Sequence, residues 1–210
     1  MSPNSEKQLL RKYSNDAWVE YMRAVYNGGN VVVWDDFLEV DEYRKAFKEY
    51  FGSLDFFSQK NYLNIGVGYR DKIHDVLKES GANITNVDIS PDVVKYWQER
   101  GEKVLLADAF HLPLIDNSVD GIISTNLINT SATMNAEDLL ELFQEFRRVI
   151  KKKGHFIQSH FGFYTASNIP RHYQMEALKK SGFQKIQCIE NQSNRHIMAL
   201  QGVSFISEKR

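Results

Sequence analysis

The apolar positions of this chain change period near residue 61. Ahead of that point they follow helical spacing. Leu9, Tyr13, Ala17, Tyr21 and Val25 form one i, i+4 row over residues 6–26, with Leu10, Trp18, Met22 and Tyr26 beside it. The result is a broad apolar face rich in aromatic rings. Asn27-Gly28-Gly29-Asn30 ends this helix with turn chemistry. Val31–Trp34 is apolar but too short to type. Asp35 then caps a second expected helix, which buries Phe37, Leu38, Tyr43, Phe47, Tyr50 and Phe51 and closes at Gly52.

From residue 61 short apolar runs alternate with helical patterns. A strand at 61–65 leads to a helix near 70–80. A strand at 83–88 leads to a helix opened by Ser90-Pro91-Asp92, with Val93, Val94 and Trp97 as its buried stripe. A third strand spans 103–107. Val119–Ser124 is nearly all apolar, as a strand covered on both faces should be. Leu139, Leu142, Phe143, Phe146, Val149 and Ile150 mark a helix over 136–151, which Lys151-Lys152-Lys153-Gly154 is expected to terminate. A fifth strand at 155–160 and a helix near 170–180 follow. The last two runs, Phe183–Ile189 and His196–Ile206, have only a turn between them and should pair antiparallel. The expected fold is α/β, a doubly wound, Rossmann-like, mostly parallel seven-stranded sheet with an antiparallel final strand. Residues 1–60 are expected as an N-terminal helical cap and 61–210 as the sheet domain. The cap can pack against the sheet, lie as a lid over the ligand edge, or do both.

Three strand ends carry the chemistry. Tyr62-Leu63-Asn64-Ile65-Gly66-Val67-Gly68 is a strand running into a glycine turn, where absent Cβ atoms permit positive φ and close approach of a ligand. Asp88 ends the next strand 22 residues after Gly66, and Asp108 follows 20 residues later, after the third. Each interval holds one helix and one strand. All three features therefore fall at the carboxyl edge of a parallel sheet, where ligands bind. A carboxylate at the end of the second strand can accept both hydroxyl hydrogens of a ribose. The arrangement suits an adenosine-containing cofactor without saying which.

Composition narrows the context. The 210 residues suffice for one ordinary domain with a small appendage. Lys plus Arg total 26 against 27 for Asp plus Glu, so no global field recruits nucleic acid or an anionic membrane. A single cysteine, Cys188, excludes an internal disulfide framework and fits a reducing compartment. No apolar run approaches the ~20 residues that span a bilayer, and Met1–Leu10 lacks signal-peptide design. A soluble cytoplasmic protein is expected. His74, His155, His172 and His196 show no metal-ligand spacing, and no metal is inferred.

From residue 61 to about 207 the sequence resembles the class I S-adenosylmethionine-dependent methyltransferases. Leu63–Gly68 looks like the first motif, and Val87-Asp88-Ile89-Ser90 is similar to the segment whose acid holds the ribose. Asp108-Ala109-Phe110-His111-Leu112-Pro113 through Asp120 resembles the acid-bearing loop, Leu-Pro element and fourth-strand entry. Phe146-Arg147-Arg148-Val149-Ile150-Lys151 through Gly154 is similar to the helix end before the fifth strand. The resemblance implies S-adenosylmethionine as cofactor and S-adenosylhomocysteine as product. It implies that Gly66 and Gly68 pass close to the methionine part, that Asp88 binds the ribose, and that Asp108 accepts from the adenine amine. Ala109 and Phe110 would flank the ring on one side and Ile89 on the other, with Asn126 near the reactive methyl. Asn64 stands where many members have an acid that contacts the cofactor's amino group through the turn, and it can still accept through its amide oxygen. Arg70 replaces a common third glycine, and Lys152 and Lys153 replace a usual Pro-Gly.

The cofactor brings its own leaving group, so the protein's expected work is binding, alignment and exclusion of water. His160, ending the fifth strand, is the first candidate for a general base, ahead of His111. Tyr13, Tyr21, Asn129 and Tyr164 are candidate walls of a substrate pocket. The entry element Tyr13-Ser14-Asn15-Asp16-Ala17-Trp18 resembles that of small-molecule members, and no basic domain is present. The expected partner is a small-molecule acceptor rather than nucleic acid or membrane, with the chain a monomer or homodimer. Three other readings compete. A nicotinamide dehydrogenase would need a small residue where Asp71 stands. A catalytically silent module that keeps the fold is suggested by Asn64 and Arg70. The third is an enzyme using the same cofactor for another reaction.

Overall fold

The computed structural model describes residues 40–69, 71–125, 127, 136–160, 171–191 and 202–209. For residues 159–160, 171, 187–191 and 202–209 only the backbone is described. The helix expected at 6–26 and the cap at Asp35 lie outside these residues.

Five strands form a parallel sheet. They are β1 (Asn61–Ile65), β2 (Asn83–Asp88), β3 (Val104–Leu106), β4 (Val119–Thr125) and β5 (Ile150–His160). Their spatial order is 3-2-1-4-5. Register is continuous across the centre, with Asn64 beside Asn86 on β2 and Ile123 on β4. The order reverses direction between β1 and β4, which opens a crevice at the carboxyl edge.

Alternation along the strands feeds two cores. Helix α1 (Val40–Phe51) and the 3-10 turn Leu54–Phe57 place Tyr43, Phe47 and Phe57 against Tyr62, Ile123 and Ile157. Helix α2 (Lys72–Glu79) adds Ile73, Val76 and Leu77 to the same cluster. Helix α3 (Pro91–Gln98) buries Val93, Val94 and Trp97. Helix α4 (Ala136–Val149) buries Leu139, Leu142, Phe143, Phe146 and Val149. The rings of Phe143 and Phe146 lie 5.5 and 5.2 Å from that of Phe156, the neighbour of Ile157 along β5. Consecutive residues of a strand face opposite sides, so helices cover both faces. Each fully buried phenylalanine contributes about 2–3 kcal/mol. Helix α5 (Arg171–Lys180) follows, and Phe183 beyond it sits 5.9 Å from Phe156.

The structure differs from the sequence reading at the α4–β5 junction. The helix ends at Val149 rather than 151, and the strand begins at once with Ile150 opposite Val119. Ser118 N–H donates to Val149 O at 2.8 Å, which draws that carbonyl out of the helix. The residues between Ile150 and His155 face only Asp120 on β4, so they form a bulge, with Lys153 at φ 61°. Gly154 is fixed sterically, because a Cβ there would lie 2.5 Å from Ile150 Cγ2 and 2.6 Å from Asp120 O.

Candidate functional site

The glycine turn leaves β1 with Gly66 at φ 72° and Gly68 at φ 58°, conformations that favour glycine strongly. It is fastened at several points. Gly66 N–H donates to Val87 O at 2.8 Å. Gly68 N–H donates to Asp88 Oδ2 at 3.1 Å, and Trp97 Nε1 donates to Gly68 O at 2.6 Å. At the far end Asp71 caps α2 by accepting from Ile73 N–H at 2.9 Å. A Cβ on Gly68 would meet nothing within 4 Å among the described residues. A Cβ on Gly66 would lie 2.9 Å from Leu127 Cδ1, which places Leu127, beyond the end of β4, over the turn.

Asp88 sits at the end of β2, with Oδ2 on Gly68 and Oδ1 accepting from Ser90 N–H at 2.9 Å. Burial pushes its carboxyl above the ordinary value of 3.8, against hydrogen bonds from the amides of Ser90, Gly68 and Ile89. Beside it Ile89 is 46% exposed, a large apolar side chain in the open at the ligand edge. Asp108 is buried. Its Oδ1 accepts from Phe110 N–H at 3.0 Å, and His111 Nδ1 lies 3.5 Å from Oδ2. The third strand end is tied to the second by Ala107 N–H donating to Asp88 O at 3.1 Å. Ala109 is half-buried and Phe110 buried.

The loop after Asp108 is clamped from α4. Arg148 donates to Leu114 O at 2.7 Å, Asp116 Oδ1 at 2.8 Å and Leu112 O at 3.0 Å. Glu145 accepts from Leu112 N–H at 2.7 Å and holds the guanidinium with both its oxygens at 2.7 Å. Beneath the glycine turn Asn64 is fully buried. Its Nδ2 donates to Asp71 Oδ2 at 2.8 Å and approaches Asn86 Oδ1 at 3.4 Å. His74 Nδ1 meets the same Asn86 oxygen at 3.1 Å. The amide oxygen of Asn64, expected from the sequence to accept, has no partner among the described residues.

Gly66, Gly68, Asp88, Ile89, Asp108, Ala109 and Phe110 thus belong to three adjacent strand ends. His160 closes β5, parallel to β4, but its side chain is not described. Asn126, Tyr13, Tyr21, Asn129, Tyr164 and Arg70 lie outside the described residues. Asp71, Trp97, Leu127, Glu145 and Arg148 are parts of this edge to which sequence reasoning gave no role in the site. An aspartate directly ahead of an apolar helical run was the available sign for Asp71, and a Glu-Arg pair at i, i+3 for the clamp.

Residues 63–158 match the family model described as "Methyltransferase domain". The match spans 96 of the 210 residues. It covers every described feature of the edge, from Asn64 to the Arg148 clamp. No curated protein sequence matches the chain. A SAM-dependent methyltransferase from Archaeoglobus fulgidus has a similar fold, with TM-score 0.63, 17% identity, and coverage of 81% of this chain and 95% of that one. Phosphoethanolamine N-methyltransferase 2 of Haemonchus contortus, solved with S-adenosyl-L-methionine, gives 0.63 and 16%, covering 80% of this chain and 52% of that one. Geranyl diphosphate C-methyltransferase of Streptomyces coelicolor A3(2), solved with Mg2+, geranyl diphosphate and S-adenosyl-L-homocysteine, gives 0.59 and 10%, covering 79% and 80%. Among the described residues no helix is long and apolar enough to cross a membrane. No cluster of three or more His, Cys, Asp or Glu among them could hold a metal ion.

Proposed function

We infer that this protein is an S-adenosylmethionine-dependent methyltransferase acting on a small-molecule acceptor. One observation carries the reading. Within a methyltransferase domain, the glycine turn, Asp88 and Asp108 stand at the ends of three neighbouring strands, with the Asp88 carboxylate against the Gly68 amide. The residues fit the cofactor. A Cβ on Gly68 would meet no described residue within 4 Å, an acid lies at the second strand end, and Ile89 offers an exposed apolar side chain suited to cover an aromatic base. Gly66 and Gly68 border the methionine part, Asp88 accepts from the ribose hydroxyls, and Asp108, Ala109 and Phe110 adjoin the adenine. Asn64 contributes from below the turn and Asn126 from the end of β4. When bound, S-adenosylmethionine supplies an activated methyl group on a sulfonium. The protein's part is to hold cofactor and acceptor in line and keep water out. His160 is the candidate base where the acceptor must lose a proton, and Tyr13, Tyr21, Asn129 and Tyr164 are the candidate walls of the acceptor pocket.

The small-molecule acceptor is supported by structural neighbours whose names state phosphoethanolamine and geranyl diphosphate as substrates. A monomer or homodimer in the cytoplasm fits the balanced charge and single cysteine. The full sheet in this reading has seven strands, the last antiparallel. Backbone registers that support it set Gly202–Lys209 against β5, with Ile157 opposite Ile206, and against Phe183–Asn191, with Cys188 opposite Phe205. Residues 1–60 remain the proposed cap and 61–210 the cofactor domain. Because Val40–Phe57 pack into the core, only residues 1–39 of the proposed cap are left as a candidate lid.

The test is calorimetric titration with S-adenosylmethionine and S-adenosylhomocysteine. Micromolar binding of both is expected, weakened about a hundred-fold or more in Asp88→Ala, which loses two charge-assisted hydrogen bonds. Folded protein giving no heat with either ligand would return the chain to the silent-module reading.

A further inference from the structure

We propose that Asn64 and Asp71 form a clasp across the base of the glycine turn and are positioning residues for the cofactor, their effect depending on one of the two being neutral. This rests on the cofactor reading above and deepens it. The two side chains are seven positions apart, one in β1 and the other capping α2, and the bond between them spans the whole turn. Both are almost fully buried, Asn64 at 0% and Asp71 at 5% exposure. A buried hydrogen bond to an ionised partner is among the stronger ones a protein makes.

The geometry assigns each partner its part. A carboxylate only accepts, so the atom of Asn64 that faces Asp71 must be its amide nitrogen. Asp71 divides its oxygens, Oδ2 taking Asn64 Nδ2 at 2.8 Å and Oδ1 taking Ile73 N–H at 2.9 Å. One carboxylate thus closes the turn and starts the helix. The turn between holds Gly66 and Gly68, the two positions of greatest backbone freedom. Without the clasp those residues keep their bonds to Val87, Asp88 and Trp97 but regain part of that freedom, and binding has to order them again. The substitution Asn64→Asp would set two carboxylates about 2.8 Å apart in a site where neither is solvated. Exchanging the two side chains, Asn64→Asp together with Asp71→Asn, keeps the bond with its direction reversed. The amide introduced on the helix cap would donate to the carboxylate introduced in β1. Its oxygen would still accept from Ile73 N–H, since asparagine caps helices as well as aspartate does.

The experiment titrates wild type, Asn64→Asp, Asp71→Asn and the exchanged double variant with S-adenosylhomocysteine and with adenosine, below the melting temperature of each. Asn64→Asp is expected to raise Kd for S-adenosylhomocysteine about ten- to hundred-fold, and the double variant to return to within about three-fold of wild type. Adenosine, lacking the methionine part, should bind all four almost equally. Hydrogen exchange of the Gly66–Ile73 amides should quicken in Asn64→Asp and slow again in the double variant. Should Asn64→Asp fail to fold, the comparison of Asp71→Asn with the double variant decides. A double variant no better than the single variants together, or adenosine affinity falling in parallel, overturns the clasp. Wild type that binds no S-adenosylhomocysteine overturns the cofactor reading and the clasp's part in it.

Discussion

Asp88 meets two demands that pull against each other. It is partly buried at a strand end, where it reaches Gly68 and Ser90, and its proposed role of accepting from two ribose hydroxyls requires it ionised. Burial wins the contest over its pKa, which lies above 3.8. The sign for binding follows. Protons compete with the ligand below that raised value, so affinity climbs about ten-fold per pH unit and then levels off. S-adenosylhomocysteine titrated between pH 4 and 7 should show this rise, with its midpoint above the ordinary carboxylate value. Asp88→Asn should bind weakly and lose the rise; a wild-type midpoint at or below 3.8 would refute the argument. At this scale the sequence was legible wherever the backbone dictates the residue. Gly66 and Gly68 at positive φ, and an acid ending an apolar strand, leave plain marks. Asn64 was marked only as a departure expected to accept, and its donation to Asp71 left no trace, because it depends on a partner seven positions away that itself reads as an ordinary helix cap.

Elements transmit order to the site through a few side chains. The loop from Asp108 to Asn117 has no repeating hydrogen bonds of its own, and its shape comes from α4. Arg148 and Glu145 satisfy Leu112 on both its N–H and its C=O, and Arg148 adds Leu114 and Asp116. A planar fork with five donors suits that arrangement and an ammonium does not. Arg148→Ala should leave the core intact and weaken adenosine binding about ten-fold, with Arg148→Lys recovering little of it; titration beside a thermal melt distinguishes this from unfolding. Equal affinity in wild type and Arg148→Ala would show that the loop keeps its shape unaided. The same α4 shows where periodicity misleads. Val149 and Ile150 continue the helical row, yet Ile150 belongs to β5, because Ser118 captures the Val149 carbonyl. A hydrogen bond from a distant loop, just ahead of β4, leaves no trace in local spacing. The 3-10 turn at Leu54–Phe57 escaped notice for a similar reason, being set by the Ser53 cap and packing of Phe57 rather than by a repeat.

Across the whole molecule the doubly wound, mostly parallel class was legible, because alternating strands and helices with intervals near 20 residues leave few right-handed solutions, while the order 3-2-1-4-5 came from the structure. What could not be read was how the polar groups between layers are satisfied. His74 is the main case. It lies buried on α2, 3.1 Å from Asn86 on β2 and 4.8 Å from the ring of Trp97 on α3, so it joins three elements. Glu102, 3.6 Å from its Nε2, and Asp75 favour the charged ring, and Lys78, itself paired with Glu102, opposes it. Burial outweighs them all and holds the imidazole below its ordinary value of 6.5. In the unfolded chain the ring takes a proton near 6.5, whereas in the fold it resists down to a lower pH. Between those values the unfolded state binds more protons, so stability rises with pH in that window. Its contribution is complete above about 6.5 and lost as the pH falls, by at most about 1.4 kcal/mol per pH unit. Urea unfolding at pH steps from 7 down to 5 should show this loss in wild type. His74→Gln, which keeps a donor for Asn86 but cannot titrate, should flatten the slope across the window. A variant slope equal to wild type would move the acid sensitivity of the fold to other groups, Asp88 excluded, since its raised pKa stabilises the fold as pH falls.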